Sequence, residues 1–221
     1  MRPGRAVLLH EHLRARTAFF DRVVLDALGS GIDQVVIVGA GYDDRALRFR
    51  SPGVQFFEVD HPRTQAHKRR RLRRFSEGLP VLVPVDLEHD SIATSLAEAG
   101  HSDATPTLFI CEGLLVYLEA EKITELLSDL AGRAASGSEL AASLATHAPE
   151  LPTPAVLHAA NAARRTGRQE PWRTILPRDA HLELVRRAGW TEVEVLDDAD
   201  LRPTAPRGRS LLVRATDTVA P

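Results

Sequence analysis

The chain has 221 residues, a formal net charge of −2 and 43% hydrophobic side chains, enough for one α/β domain with a core on both faces of a sheet. So balanced a charge excludes a global electrostatic drive toward nucleic acid or anionic membranes, and a single cysteine, Cys111, excludes an internal disulfide. No apolar run approaches the roughly 20 residues that span a bilayer, and none near the start is long enough for a signal peptide, so no membrane association and a cytoplasmic setting are expected.

Residues 11–28 place Leu13, Phe20, Val23, Val24 and Ala27 near helical spacing, and Gly29-Ser30-Gly31 stops the run. This predicts a helical extension over 1–31. A buried strand follows at 34–38, Gln-Val-Val-Ile-Val, and runs into Gly39-Ala40-Gly41. A short helix from Asp43 or Asp44 to Phe49 ends at Ser51-Pro52-Gly53. The second strand, 54–59, leads into Asp60, and His61-Pro62 opens a helix to about Arg74. Strand three, 81–85, ends at Asp86; a helix over 91–99 stops at Gly100; strand four, 107–111, ends at Glu112-Gly113. A helix spans 119–133 and a fifth strand 139–145. Residues 147–176 read as an irregular insertion, with a helix near 155–166. A helix over 177–188 precedes a strand at 190–196, in which Thr191, Val193 and Val195 alternate with Glu192, Glu194 and Leu196. A polar loop then leads to a last strand at 210–214. No helix fits between these last two strands, so they should be antiparallel neighbours. The whole predicts a single domain over 1–221: a doubly wound, mostly parallel, seven-stranded α/β sheet with a C-terminal antiparallel pair.

In open α/β sheets the ligand sits beyond the carboxyl ends of the strands, which here carry Gly39 to Arg45, Glu58 to His61, Asp86 with Leu87, and Glu112 to Tyr117. Two glycines allow close backbone approach, and Asp60 follows Gly41 by 19 residues, close to the roughly 20 expected of a ribose-binding acid. The third glycine of a dinucleotide fingerprint is replaced by Asp44, and acids at a helix start repel a pyrophosphate. A ligand with an amine and a sulfonium tolerates them, which favours S-adenosylmethionine over NAD.

The segments Val38-Gly39-Ala40-Gly41-Tyr42-Asp43-Asp44-Arg45, Phe57-Glu58-Val59-Asp60-His61-Pro62 with Thr64, Gln65 and Lys68, Pro84-Val85-Asp86-Leu87, and Cys111-Glu112-Gly113-Leu114-Leu115-Val116-Tyr117-Leu118 stand in that order over about residues 16–130. Together they resemble the leucine carboxyl methyltransferase family, and within it the bacterial polyketide-type O-methyltransferases. The resemblance implies a class I methyltransferase sheet, S-adenosylmethionine as cofactor, and methyl transfer to a carboxylate or hydroxyl oxygen of a small molecule. It implies that Gly39, Ala40 and Gly41 pass close to the cofactor's amino-acid portion, that Arg45 contacts a carboxylate, and that Asp60, rather than Glu58, holds the ribose. His61 adjoins that acid. By the same resemblance Asp86 and Leu87 receive the adenine, and Glu112 faces the methionine ammonium, which would give a buried carboxylate its partner. Arg45, Tyr117 and His61 are the candidates for a direct part in catalysis. Family members are often longer, so the acceptor site here could be open, small or completed by a second subunit in a homodimer.

Other readings compete. Lys68 to Arg74 has six basic residues in seven but no interleaved aromatics, and reads as a solvated helix face before it reads as an RNA-binding stripe. The nine histidines make no metal pattern: His10 and His12 are two apart and share no helix face. A cofactor-binding protein with a degenerate acceptor site is the main alternative, followed by an RNA methyltransferase and an NAD-dependent reductase.

Overall fold

The computed structural model describes residues 5–147, 151–164, 170–197, 200 and 210–217. In chain order the elements are α1 (Arg5–Gly29), β1 (Gln34–Val38), α2 (Arg45–Arg48), β2 (Gln55–Asp60), α3 (Pro62–Leu72), β3 (Val81–Pro84), α4 (Ile92–Glu98), β4 (Thr107–Cys111), a 3-10 turn (Leu115–Tyr117), α5 (Ala120–Ala131), β5 (Glu139–His147), α6 (Thr153–Arg164), β6 (Leu176–Pro177), α7 (Arg178–Arg187), β7 (Trp190–Asp197) and β8 (Ser210–Asp217). The strands form one sheet in the order β3-β2-β1-β4-β5-β8-β7. Pairing is parallel from β3 to β5, and β8 lies antiparallel between β5 and β7. This is the expected doubly wound sheet with its C-terminal antiparallel pair. One strand escaped the sequence: β6, two residues long, pairs with the end of β5, making eight among the described residues. Two residues carry no periodicity, and Pro177 had read as a helix start.

Both faces of the sheet are covered, which is why β1 and β4 are buried at every position and, after Gln34 and Thr107 at their starts, apolar. Alternation divides their side chains between two cores. Val36, Val38, Phe57, Val59, Phe109 and Cys111 face α4, α5 and α7, whereas Val35, Ile37, Phe56, Leu108 and Ile110 face α1. The amphipathic helix α5 contributes Ile123, Leu126, Leu127 and Leu130, a single stripe at i, i+3, i+4 and i+7. Phe19, Phe20, Val23, Val24 and Ala27 of α1 make most of the helical side of the second core. The N-terminal helix is therefore the cover of one sheet face. Trp190, fully buried, is satisfied by an Nε1–H bond to the Leu127 carbonyl at 2.9 Å and packs edge-on against Phe109.

Two further expectations needed revision. The alternation over 190–196 is broken by a register shift between Glu192 and Glu194, which turns Val193 outward to 65% exposure. Within 147–176 the described residues are less irregular than their composition suggests. His147 Nε2 lies 2.9 Å from Thr153 Oγ1, α6 follows, and Asn161 of α6 makes two 2.8 Å bonds with the main chain of Trp172. The returning segment is tied across the top of the sheet. Arg173 and Thr174 donate main-chain N–H groups to the Val116 carbonyl, Thr174 Oγ1 donates to the Leu118 carbonyl, and Arg173 pairs with Glu88. The end of the helix expected near 155–166 and most of the polar loop before β8 lie outside the described residues.

Candidate functional site

The parallel order changes direction at β1: β2 and β3 lie to one side and β4 and β5 to the other. The crevice above such a switch is where an open α/β sheet receives its ligand. The turn after β1 occupies it. Gly39, Gly41 and Gly113 all have positive φ, at 67°, 45° and 68°. At Gly39 the missing Cβ is what lets Leu114 pack down, since a methyl group there would sit 3.0–3.2 Å from three of its carbons. Gly41 differs: the nearest atom to a Cβ would be the Gly39 carbonyl at 4.0 Å, so its side-chain direction opens into free space. Ala40 is buried and extends the β1–β2 ladder by donating to the Val59 carbonyl.

Asp60, at the end of β2, reaches back to this turn. Its Oδ2 accepts from Gly41 N–H at 2.6 Å and its Oδ1 from His61 N–H at 2.7 Å. His61 is half exposed and caps α3, its Nδ1 accepting from Arg63 N–H, while its Nε2 lies 3.8 Å from Asp86 Oδ2. Asp86 organises its own loop, accepting from Glu88 N–H, and Leu87 packs against the first core. Tyr117, on the 3-10 turn after β4, is half-buried. The structure thus brings Gly41, Asp60, His61 and Asp86 into one chain of contacts along the ends of β1, β2 and β3.

Glu58 points elsewhere, as alternation requires. Its side chain is 1% exposed and lies 2.6 Å from Lys68 Nζ, beneath the glycine turn. Burial pushes its carboxyl up to about 7 in spite of the lysine. Lys68 is consequently not part of a solvated face. It shares the inward side of α3 with Gln65 and Leu72, whereas Arg69, Arg70, Arg71, Arg73 and Arg74 are exposed.

A second cluster joins the ends of β1 and β4. Arg45, only 3% exposed, donates from Nε to Asp21 at 2.7 Å and from Nη1 to Asp43 at 2.5 Å and Glu112 at 2.7 Å. Burial opposes its charge, but the three carboxylates outweigh that and raise its pKa further. Glu112 also accepts from Arg16 Nε at 2.8 Å, and Asp21 from both terminal nitrogens of Arg48. Two expectations change here. Glu112 does not lack a partner, because two guanidinium groups already reach it. Asp43 does not face outward as a free acid, because its carboxylate accepts from the N–H and guanidinium of Arg45. Asp44 alone of the pair is exposed, bonded to Arg48. Among the described residues, four carboxylates (Asp21, Asp43, Asp44 and Glu112) meet three guanidinium groups (Arg16, Arg45 and Arg48), an excess of one carboxylate.

Arg16 and Asp21 had not been singled out. Arg16 carried a legible signal: it precedes Phe19 and Phe20 by three and four residues, so a charge sits on the buried stripe of α1. Gly113 leaves room for it, the Arg16 guanidinium lying 3.6 Å from where a Cβ would be.

A family model for leucine carboxyl methyltransferase matches residues 2–131. A protein of Frankia alni named as an S-adenosyl-L-methionine-dependent methyltransferase is 41% identical over 135 residues, which is 59% of this chain and 47% of that one. One of Streptomyces coelicolor with the same description is 41% identical over 133 residues, 58% of this chain and 47% of its own. The chain spans about half the length of the curated relatives it matches. Among solved structures, a methyltransferase from Thermobifida fusca aligns with a TM-score of 0.66 at 17% identity, covering 97% of this chain and 83% of that one. The magnesium protoporphyrin IX methyltransferase of Synechocystis, solved with bound SAH, aligns with a TM-score of 0.62 at 12% identity, covering 99% and 89%. Identities this low show a shared fold.

Proposed function

The chain belongs to the leucine carboxyl methyltransferase family, and from that premise we propose that it binds S-adenosyl-L-methionine and transfers its methyl group to an oxygen of a small-molecule acceptor. The observation that carries this reading is the convergence of Gly41, Asp60, Asp86 and Glu112 on the ends of four adjacent parallel strands, at the switch in strand order.

The donor set fits the ligand. Asp60 would accept from ribose hydroxyls, Asp86 from the adenine amino group, and Glu112 would face the ammonium, with the guanidinium groups of Arg16 and Arg45 at hand for the carboxylate. The open direction at Gly41 leaves room beside the turn, and the excess of carboxylates suits a cation better than a pyrophosphate. Bound there, S-adenosyl-L-methionine supplies a methyl group on a sulfonium, open to in-line attack by an oxygen nucleophile. The protein's part is positioning and exclusion of water. A carboxylate acceptor arrives ionised and needs no base. A hydroxyl acceptor needs one, and His61, exposed and near Asp86, is the candidate side chain on this rim.

Isothermal titration with S-adenosylmethionine, S-adenosylhomocysteine and NADH tests the reading. Saturable binding of both adenosyl compounds with NADH silent supports it; a folded protein that ignores both adenosyl compounds refutes it. A screen of carboxylic-acid and phenolic acceptors with radiolabelled methyl donor then separates an enzyme from a cofactor-binding protein.

A further inference from the structure

The pair Glu58–Lys68 lies behind the glycine turn, Glu58 being buried two residues before the end of β2. A charged pair so deeply buried is costly, because each ion loses its hydration. Here the side chains are 1% and 7% exposed. The lysine does one further thing: its Nζ donates to the main-chain carbonyl of Asp43 at 2.7 Å. Asp43 ends the turn that starts at Gly39. Its N–H donates to the Ala40 carbonyl at 2.7 Å, and its carboxylate is held by Arg45. The middle of the same turn is held by Asp60 at Gly41. Lys68 is thus the fastening that comes from beneath, from α3, while Gln65, one turn earlier on that helix, donates to the Glu58 carbonyl at 2.7 Å and locks α3 to β2.

We infer that Lys68 and Glu58 are positioning residues for cofactor binding: the ammonium fixes the Asp43 carbonyl, and so the shape of the turn from Gly39 to Asp43, and the buried carboxylate keeps the ammonium in place. This rests on the reading of that turn as the cofactor's receiving loop. A lysine suits the task because its flexible stem reaches from α3 to the turn and its point charge donates to a carbonyl while pairing with a carboxylate. The groups that face Glu58 are Lys68 from α3, Asp43 from the turn and Asp60 from the end of β2. Burial and the two neighbouring acids hold its proton on to about pH 7, so the brace is fully charged only on the alkaline side of neutrality.

The test is titration of S-adenosylhomocysteine into the wild type, Lys68→Met and Glu58→Gln at pH 6 and pH 8, with thermal melting of each protein alongside. Lys68→Met should bind roughly tenfold more weakly at pH 8, the consequence of losing one charge-assisted bond that shapes the loop. Glu58→Gln is close in shape to the protonated carboxyl, so it should fold even if Lys68→Met does not. Its affinity should fall several-fold below wild type at pH 8 and converge with wild type at pH 6. A purely structural pair would lower the melting temperature without that pH-dependent gap. Lys68→Met binding within twofold of wild type, or Glu58→Gln tracking wild type at both pH values, overturns the inference. If the folded wild type itself binds no adenosyl compound, the cofactor reading fails first and this one with it. Wild-type binding with unaffected variants removes only the brace.

Discussion

Replacing Arg45 with methionine should be among the most damaging single changes near the site, and the structure says by how much. The guanidinium is 3% exposed and bonded to three carboxylates. Removing one partner of a buried ion pair costs about 3–5 kcal/mol when the remaining charge is stranded. Stranding is incomplete here. Asp21 keeps Arg48, and Glu112 keeps Arg16; among the described residues only Asp43 loses its cation, and its side chain retains 12% exposure. The expected loss is therefore about 2–3 kcal/mol, or roughly 5–10 °C in melting temperature for a chain of this size. Arg45→Lys should recover only part of it, since an ammonium cannot reproduce a planar fork directed at separate carboxylates. The penalty should also shrink in acid. Asp21 is pushed up by burial, but hydrogen bonds from Arg48 and Arg45 outweigh that and hold it below its ordinary value. A depressed carboxylate contributes stability that is present above its unfolded pKa and lost as pH falls through the folded one. Chemical denaturation at pH 7.5 and pH 3.5 measures both effects. Equal stability of Arg45→Met and wild type at pH 7.5 would refute the claim that this arginine neutralises the cluster.

Asp60→Ala should weaken S-adenosylhomocysteine binding by about 1–3 kcal/mol in calorimetry, because Gly41 N–H and His61 N–H lose their acceptor as well as any ligand hydroxyl; unchanged affinity with intact folding would remove Asp60 from the site. Gly41→Val should bind worse still, since a branched residue resists φ of 45° and its side chain would project into the open space beside the turn. His101, pushed down to about 4 first by burial and then by Arg133, should contribute stability that is present above its unfolded value of 6.5 and is lost as pH falls toward 4; its ring should remain neutral at pH 5.5 by NMR. Cys111, fully buried with its thiol pushed up to about 12 by burial, should resist a disulfide-exchange reagent in the native state and react in denaturant; rapid labelling of folded protein would contradict its place in the core.

The sheet was legible because its physics is strong and local. Doubly buried strands must be apolar at every position, and Val35 to Val38 and Leu108 to Cys111 are. Glycine stops at Gly31, Gly100 and Gly189, all with positive φ, marked helix ends by their own conformational preference. The strand-end acids could be found because an α/β topology dictates where to look. What could not be read was the partner each charge would choose. Glu112 looked like a carboxylate in want of a cation, yet the cations come from Arg16, 96 positions away, and Arg45, 67 positions away. Lys68 looked like the first member of a basic run, but only its neighbours at Gln65 and Leu72 show that it lies on the inward face. The bulge at Val193 had no signal, because a register shift depends on what β8 opposes to it.

These misplaced charges share a pattern. Arg16 interrupts the apolar stripe of α1, and Lys68 lies on the inward side of α3 between Gln65 and Leu72; both turn to a carboxylate near the carboxyl end of a strand. A protein built only for stability would gain by replacing such pairs with hydrocarbon, since buried ion pairs are often no better than well-packed apolar residues. What the pairs supply is fixed direction. Arg16 and Arg45 both hold Glu112, and Asp60 and Lys68 hold the glycine turn at its middle and at its end. The carboxylates and main-chain groups around the switch in strand order are therefore set before any ligand arrives. A ligand that must be aligned for in-line displacement gains most from such a site, because orientation fixed during folding need not be purchased again at binding.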